Sequence, residues 1–346
     1  MITPGGCVRD ESHRAEAHTL RIVDLATPPE GFLPQEPEGG EFYRALQRAD
    51  IEGFRFGYLA VYRGNKQVTV APYFLADLRL NTLLPRGWLK WCLSAIRFRL
   101  ACIGNPTTDA GRIQGEVSAD TLSLIDRALS KKSSLVAYKG FGPDLPLPGY
   151  IRAKGLPTSV LPLAPDYFKT MKSDRRNFLK RKLKKAAGLR FEESAGLPEH
   201  LVDSVYALYL NTCEKAEYKF EKLTRGYFDA TRALSHYLLF FHEDKLIGFN
   251  QLIVKGHRVV NRYVGLDYAI SNDHGLYFAM FIRSVEFAVR EGYTEIELGA
   301  TSYAFKRKLG GREEPTWNYY RHTMPLMFWL LRKLRPVLEP SESDLR

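Results

Sequence analysis

The chain has 346 residues, room for one large or two medium domains, and its 45% hydrophobic and 12% aromatic content excludes a disordered polymer. Fifty Lys and Arg against 39 Asp and Glu give a formal charge of +11, which favours acidic partners: phosphates, nucleic acid or an anionic bilayer. The four cysteines (Cys7, Cys92, Cys102, Cys213) form no CxxC pair, so neither a disulfide framework nor a zinc site is expected, and a reducing, cytoplasmic setting fits.

Residues 1–18 read as a frayed tail without the apolar core of a secretory signal. A strand over Leu20–Leu25 and a helix over Glu41–Asp50 flank the Pro/Gly-rich loop Thr27–Gly40. Strands over Gly57–Arg63 and Gln67–Ala76 meet at the hairpin turn "GNK". Pro85–Gly104 mixes Trp, Leu, Ile and Phe with Arg and Lys, as an amphipathic segment does. A helix over Ser118–Lys132, with Ser118 as N-cap, precedes a strand over Ser134–Phe141.

Pro146–Leu163 reads as the joint between two halves. Beyond it lies "KSDRRNFLKRKLKKAAGLR", with nine Lys or Arg in residues 172–190. Leu179, Leu183 and Ala186 give this helix a narrow apolar stripe, Asp174 suits its start, and Gly188 is placed as its C-cap. A strand at Leu189–Ser194, helices over Pro198–Lys215 and Thr224–Ala233, and three strands between His236 and Tyr268 follow. The chain closes with a helix over Leu276–Gly292, a strand over Thr294–Ala300, a short helix over Thr301–Gly311 and a strand over Pro315–Thr323. Met324–Leu338 has the composition of an interfacial helix.

The order strand, helix, meander, helix, strand occurs twice without a residue-level repeat. It predicts an α/β (α+β) chain of two domains of like topology, each a mixed sheet flanked by helices, over 19–155 and 156–324, with an amphipathic segment at 325–346. No run reaches the roughly 18 apolar residues that span a bilayer. HExxH, GxSxG and GxxxxGK[ST] are all absent, which argues against zinc proteases, serine hydrolases and P-loop NTPases.

Three stretches carry a family resemblance: "KSDRRNFLKRKLKKAAGLRFE", "GFNQLIVKGHRVVNRYVGLDYAISNDHGLYFAMFIRSVEFAVREGY" and "EIELGATSYAFKRKLGG". Over Tyr167–His322 the chain resembles the GCN5-related N-acetyltransferase (GNAT) fold, in particular the Fem-like acyltransferases that carry two such domains in tandem. It is also similar to bacterial ceramide-synthase-type N-acyltransferases. The usual GNAT phosphate loop, (Q/R)-x-x-G-x-(G/A), is missing, and "SNDHGLYF" with the single Gly275 stands in its place. A backbone cradle for the CoA pyrophosphate is thereby weakened.

The resemblance implies amide-forming transfer from an activated acyl donor to an amine acceptor. Acyl-CoA is the expected co-substrate, no metal is expected, and aminoacyl-tRNA is the alternative donor. Glu297, at the C-terminal end of its strand, is placed to take a proton from the amine. Tyr303 can protonate the leaving group, and Lys306, one helical turn on, can steady an oxyanion or hold a phosphate. Asp267 ends a strand beside the expected crevice, and His274 lies in the polar loop after it. Asn272 and Gly275 offer N–H groups to donor phosphates, while Arg175, Arg176 and Lys180 are the preferred cations of the basic helix.

Each site residue also has a plainer reading. Glu297 can pair with Lys306, Arg307 or Lys308, the loop histidine can be solvated, and the charge run can be a wet helix face. Two further readings stay open: contact with the inner face of a membrane, with a long-chain (sphingoid-type) amine as acceptor, and a non-catalytic nucleic-acid-binding role resting on charge alone.

Overall fold

The structure, a computed structural model, describes residues 19–79, 97–215, 221–341 and 344–345, with the side chains of Leu78, Arg79, Arg97 and Asn272 excepted. The expected frayed tail at 1–18 and most of the amphipathic stretch lie outside the described residues. Arg97–Ile103, the end of that stretch, is a strand: Arg99 stays exposed and pairs with Asp77, while Leu100 and Cys102 are buried on the same sheet.

The first half runs β1 (Leu20–Leu25), α1 (Gly40–Arg48), β2 (Phe54–Arg63), β3 (Lys66–Arg79), β4 (Arg97–Ile103), β5 (Gln114–Gly115), α2 (Ala119–Ser130), β6 (Leu135–Phe141) and β7 (Ile151–Lys154). Ser118 caps α2 as expected, its hydroxyl accepting from the Thr121 N–H while Thr121 returns the bond. The second half runs β8 (Thr158–Pro162), α3 (Tyr167–Thr170), α4 (Ser173–Lys185), β9 (Arg190–Ala195), α5 (Val202–Lys215), α6 (Arg225–Thr231), β10 (His236–His242), β11 (Lys245–Lys255) and β12 (Arg258–Leu266). It continues with α7 (Tyr268–His274), α8 (Leu276–Arg290), β13 (Glu295–Gly299), α9 (Tyr303–Leu309), β14 (Arg312–Glu314), β15 (Trp317–His322), α10 (Pro325–Lys333) and α11 (Arg335–Leu338).

Two mixed sheets result. The first has the order β1-β2-β3-β4-β6-β15-β7, with β5 added to β3; the second has the order β14-β8-β13-β12-β11-β10-β9. Each contains one parallel pair, β4 with β6 and β12 with β13, among antiparallel neighbours. The expected repeat of topology is thus present.

One strand crosses between the halves. β8, just past the joint, lies between β13 and β14 of its own half, while β15 leaves the second half and inserts between β6 and β7. This corrects two readings. The Pro/Gly-rich joint Pro146–Leu163 contains two short strands, and the closing strand, expected in the second half, belongs to the first sheet. Local pattern identifies a strand and says nothing about which sheet edge receives it.

Helix α8 covers one face of the second sheet, burying Leu276, Met280 and Val285 against Ile247, Val259 and Ile296. The other face packs on α5, α6 and, from the first half, α1 (Phe42, Leu46). One hydrophobic cluster therefore spans both halves. Two smaller expectations also change. The segment before α8 is the short helix α7, and α4 closes at Ala186 (φ −93°) without a left-handed glycine cap at Gly188.

Candidate functional site

β13 alternates as the sequence dictates: Ile296 and Leu298 enter the core under α8, and Glu297 turns to the opposite face, 7% exposed. β12 and β13 pair only over Arg258–Val260 and Glu295–Glu297, while β12 continues to Leu266. The parallel strands part beside Glu297. The register slips across Gln251 and Leu252, which face Tyr263 and Asn261, so Arg262 is the extra residue of a β-bulge.

That bulge turns Arg262 inward, where it pairs with Glu38 at 2.9 Å and leaves its buried Nε unpartnered. Glu38 comes from the Pro/Gly-rich loop before α1. Asp109, from the loop after β4, accepts from the Ala300 N–H at 3.3 Å, joining the first half to the end of β13. Lys306, 2% exposed on α9, donates to the carbonyls of Gly299 (2.9 Å) and Ala300 (2.7 Å), which keeps its ammonium at the mouth of the parted strands. The Tyr263 hydroxyl donates to Glu221 at 3.0 Å. The cluster draws on both halves, and its Glu38 retains 19% side-chain exposure.

Burial pushes the Glu297 carboxyl up to about 7, helped by the like charges of Glu38 and Asp109 and opposed by Arg262 and Arg258. Burial pulls Lys306 down to about 7, with Asp109 and Glu297 partly offsetting it. Glu38 and Glu221 are also raised by burial, against the pull of Arg262 and Lys139 respectively. Arg262 stays charged in spite of its burial because Glu38 and Asp109 face it. A carboxyl and an amine that both titrate near neutrality, within one field, are equipped for proton transfer. Among the described residues no group of His, Cys, Asp and Glu is placed to hold a metal ion.

The structure brings Glu297 and Lys306 into this cluster and places the other expected residues elsewhere. Tyr303 is fully buried, and its hydroxyl donates to the Pro157 carbonyl at 2.8 Å, tying α9 to the segment before β8. Asp267 pairs with Lys245 at 2.8 Å and accepts from the Ala269 N–H at 3.0 Å; the Lys245 bond holds its carboxyl below the usual range. It is thus the cap of α7.

The His274 ring lies 5.0 Å from that of His242, tilted 47° to it, and Gly275 (φ +60°) makes the turn into α8. The side chain of Asn272 is not among those described. The N-cap of α8 is Gly275, which has no side chain to offer as a cap, and the Lys185 stem runs beside it. Arg175 and Lys180 are exposed on α4, and Arg176 is half-buried, donating to the Lys169 carbonyl at 3.3 Å. α4 itself is held by Phe178, whose ring stands 6.4 Å from both Phe278 of α8 and Phe305 of α9.

Sequence reasoning missed Glu38, Asp109, Glu221 and Arg262. Three of them lie outside regular strands and helices, where spacing carries no signal. Arg262 did leave one: a guanidinium within "RVVNRYVGL", a strand otherwise dominated by apolar residues.

Residues 173–307 match the family model of the acetyltransferase (GNAT) domain. No curated protein matches the chain. Among solved structures, L-PGS from Bacillus licheniformis superposes with a TM-score of 0.54 at 13% identity, covering 89% of this chain and 99% of that one. A tandem GNAT protein from the clavulanic acid biosynthesis pathway gives 0.53 at 13% identity, with the same coverage of 89% and 99%. FemX gives 0.52 at 13% identity, covering 94% and 99%. At such identities these likenesses are of fold, and they extend over both halves. Residues 173–307 thus match a GNAT acetyltransferase domain, and the chain as a whole shares the fold of these three structures, one of them a tandem GNAT protein.

Proposed function

We propose that the chain is an N-acyltransferase that moves an acyl group from acyl-CoA to a primary amine held between its halves. The observation that carries this reading is the buried Glu297 and Lys306, both titrating near 7, where the parallel strands of a GNAT domain part. The Glu297 carboxylate takes a proton from the acceptor ammonium, directly or through water. The freed nitrogen attacks the thioester carbonyl, the C–N bond forms, and the C–S bond breaks as the thiolate leaves with a proton from solvent. The Lys306 ammonium, oriented by two carbonyls, steadies the oxyanion between these steps. The start of α8 at Gly275, with the Lys185 stem beside it, is where donor phosphates would lie.

A second reading keeps this chemistry and replaces the thioester by the ester of an aminoacyl-tRNA. Two features favour it: the missing glycine-rich phosphate loop, and the exposed cations of α4 next to α8. The deciding experiment incubates the protein with cell extract and either an acyl-CoA mixture or charged tRNA, and searches for new amides by mass spectrometry. Amides formed only with acyl-CoA support the first reading. Amides formed only with charged tRNA, together with steeply salt-dependent tRNA binding, replace it by the second. No amide in either arm rejects both.

A further inference from the structure

Exposed large apolar side chains are concentrated in one place. Among the described residues they are Val117 and a set between Met324 and Val337. Helix α10 faces the first sheet at β15 with its half-buried Phe328 and Leu331, and α11 follows against the edge strand β7, where Glu339 accepts from the Lys154 N–H at 3.1 Å. On the outer side Leu326 (68% exposed), Leu330 and Leu334 recur every four residues, with Trp329 (53%) and Met327 beside them.

Hydration of such a stripe is unfavourable, and nothing among the described residues covers it. Between Met324 and Leu338 every charged residue is a cation: Arg332, Lys333 and Arg335. The Lys333 ammonium lies 5.8 Å over the Trp329 ring. Arg332 and Lys333 are exposed at the end of the same helix. No helix of the described residues is long and apolar enough to cross a membrane, so this element can lie on a bilayer but not span it.

We propose that α10 is a membrane-docking helix that lays its Leu326–Leu334 stripe into the headgroup region of an anionic bilayer. Arg332 and Lys333 then meet lipid phosphates, and the net charge of +11 draws the protein to the surface. Docking is independent of the acyl-transfer reading, because it needs neither donor nor acceptor.

The test is co-sedimentation of the full chain with phosphatidylcholine vesicles, with and without phosphatidylglycerol. Binding is expected on phosphatidylglycerol vesicles and should weaken as salt is raised. The double variant Leu326→Ser/Trp329→Ser should bind at least about tenfold less, and Arg332→Ala/Lys333→Ala should lose only the phosphatidylglycerol-dependent part. All four positions are exposed, and an unchanged urea midpoint confirms that the variants fold. Wild-type protein that ignores both vesicles, or a serine variant that binds as wild type does, overturns the proposal. So does a dimer in sedimentation equilibrium that Leu326→Ser/Trp329→Ser dissociates, since a second copy of the chain would then be the occupant.

Discussion

In the first half β4 and β6 pair over Leu100–Ile103 and Leu135–Tyr138, and the chain itself occupies the region beyond: Asn105 and Thr107 are buried, and Lys139 donates to the carbonyls of Asn105 and Pro106. In the second half β12 and β13 part after Val260 and Glu297, and the region beyond carries Glu297, Lys306 and the bulged Arg262, with Glu38 and Asp109 reaching in from the first half. One topology serves two ends. Where parallel strands part, backbone groups lose their partners, and a loop with a lysine can satisfy them. Where carboxylates and an amine are left in that place instead, burial shifts their protonation to the range in which proton transfer operates.

The comparison can be broken at several levels. Cutting the chain between Lys154 and Thr158 has the largest expected effect, because the first fragment then lacks β15, which only the second carries. The first fragment should not unfold cooperatively alone, and co-expression should restore a transition. A sharp calorimetric peak from that fragment alone would show that β15 is not required for folding. Next, Glu297→Gln should lower kcat/KM for amide formation by about 10²–10⁴-fold. Lys306→Met should cost about 10²-fold and remove the fall in rate above pH 7. Wild-type rates in both variants would remove the chemistry from the second half.

A smaller effect appears in stability. Glu297 binds its proton more tightly folded (about 7) than unfolded (4.5), so its contribution falls as pH rises from 4.5 to 7. Lys306 behaves in the opposite way above that range, and stability is regained as pH rises from 7 towards 10.5. Relative to wild type, Glu297→Gln should therefore gain up to about 3 kcal/mol between pH 5 and pH 8 in urea denaturation, and a flat difference would place Glu297 in water. Smallest of all, Thr107→Val in the first half removes the bond from Thr107 Oγ1 to Asn105 Oδ1 (3.0 Å). It should cost about 1 kcal/mol in the same assay and leave turnover unchanged, and a lost rate would give the first half a part in the chemistry.

Most strands and helices were legible because their signals are local: alternation in β13, the Ser118 cap, and the turn at Gly64 (φ +57°). Glu297 and Lys306 were legible because strand and helix periods place them near one another. The joint at Pro146–Leu163 misled because its strands are short and lie among Pro and Gly, and pairing across halves leaves no local trace. Glu38 and Asp109 were illegible for the same physical reason. Their importance comes from what faces them in space, and Asp109 meets Ala300 across 191 positions of sequence.

The crossing of β15 also sets a timetable for synthesis. Asn318 of β15 accepts from the Gly140 N–H across 178 positions. During translation at about 5–20 residues per second, the first sheet waits on the order of ten seconds or more for its missing strand, with β6 and β7 unjoined. Unpaired strand edges are templates for wrong partners, so the first sheet is open to mispairing until β15 arrives. Slow, late closure is the kinetic counterpart of a core that neither half completes alone.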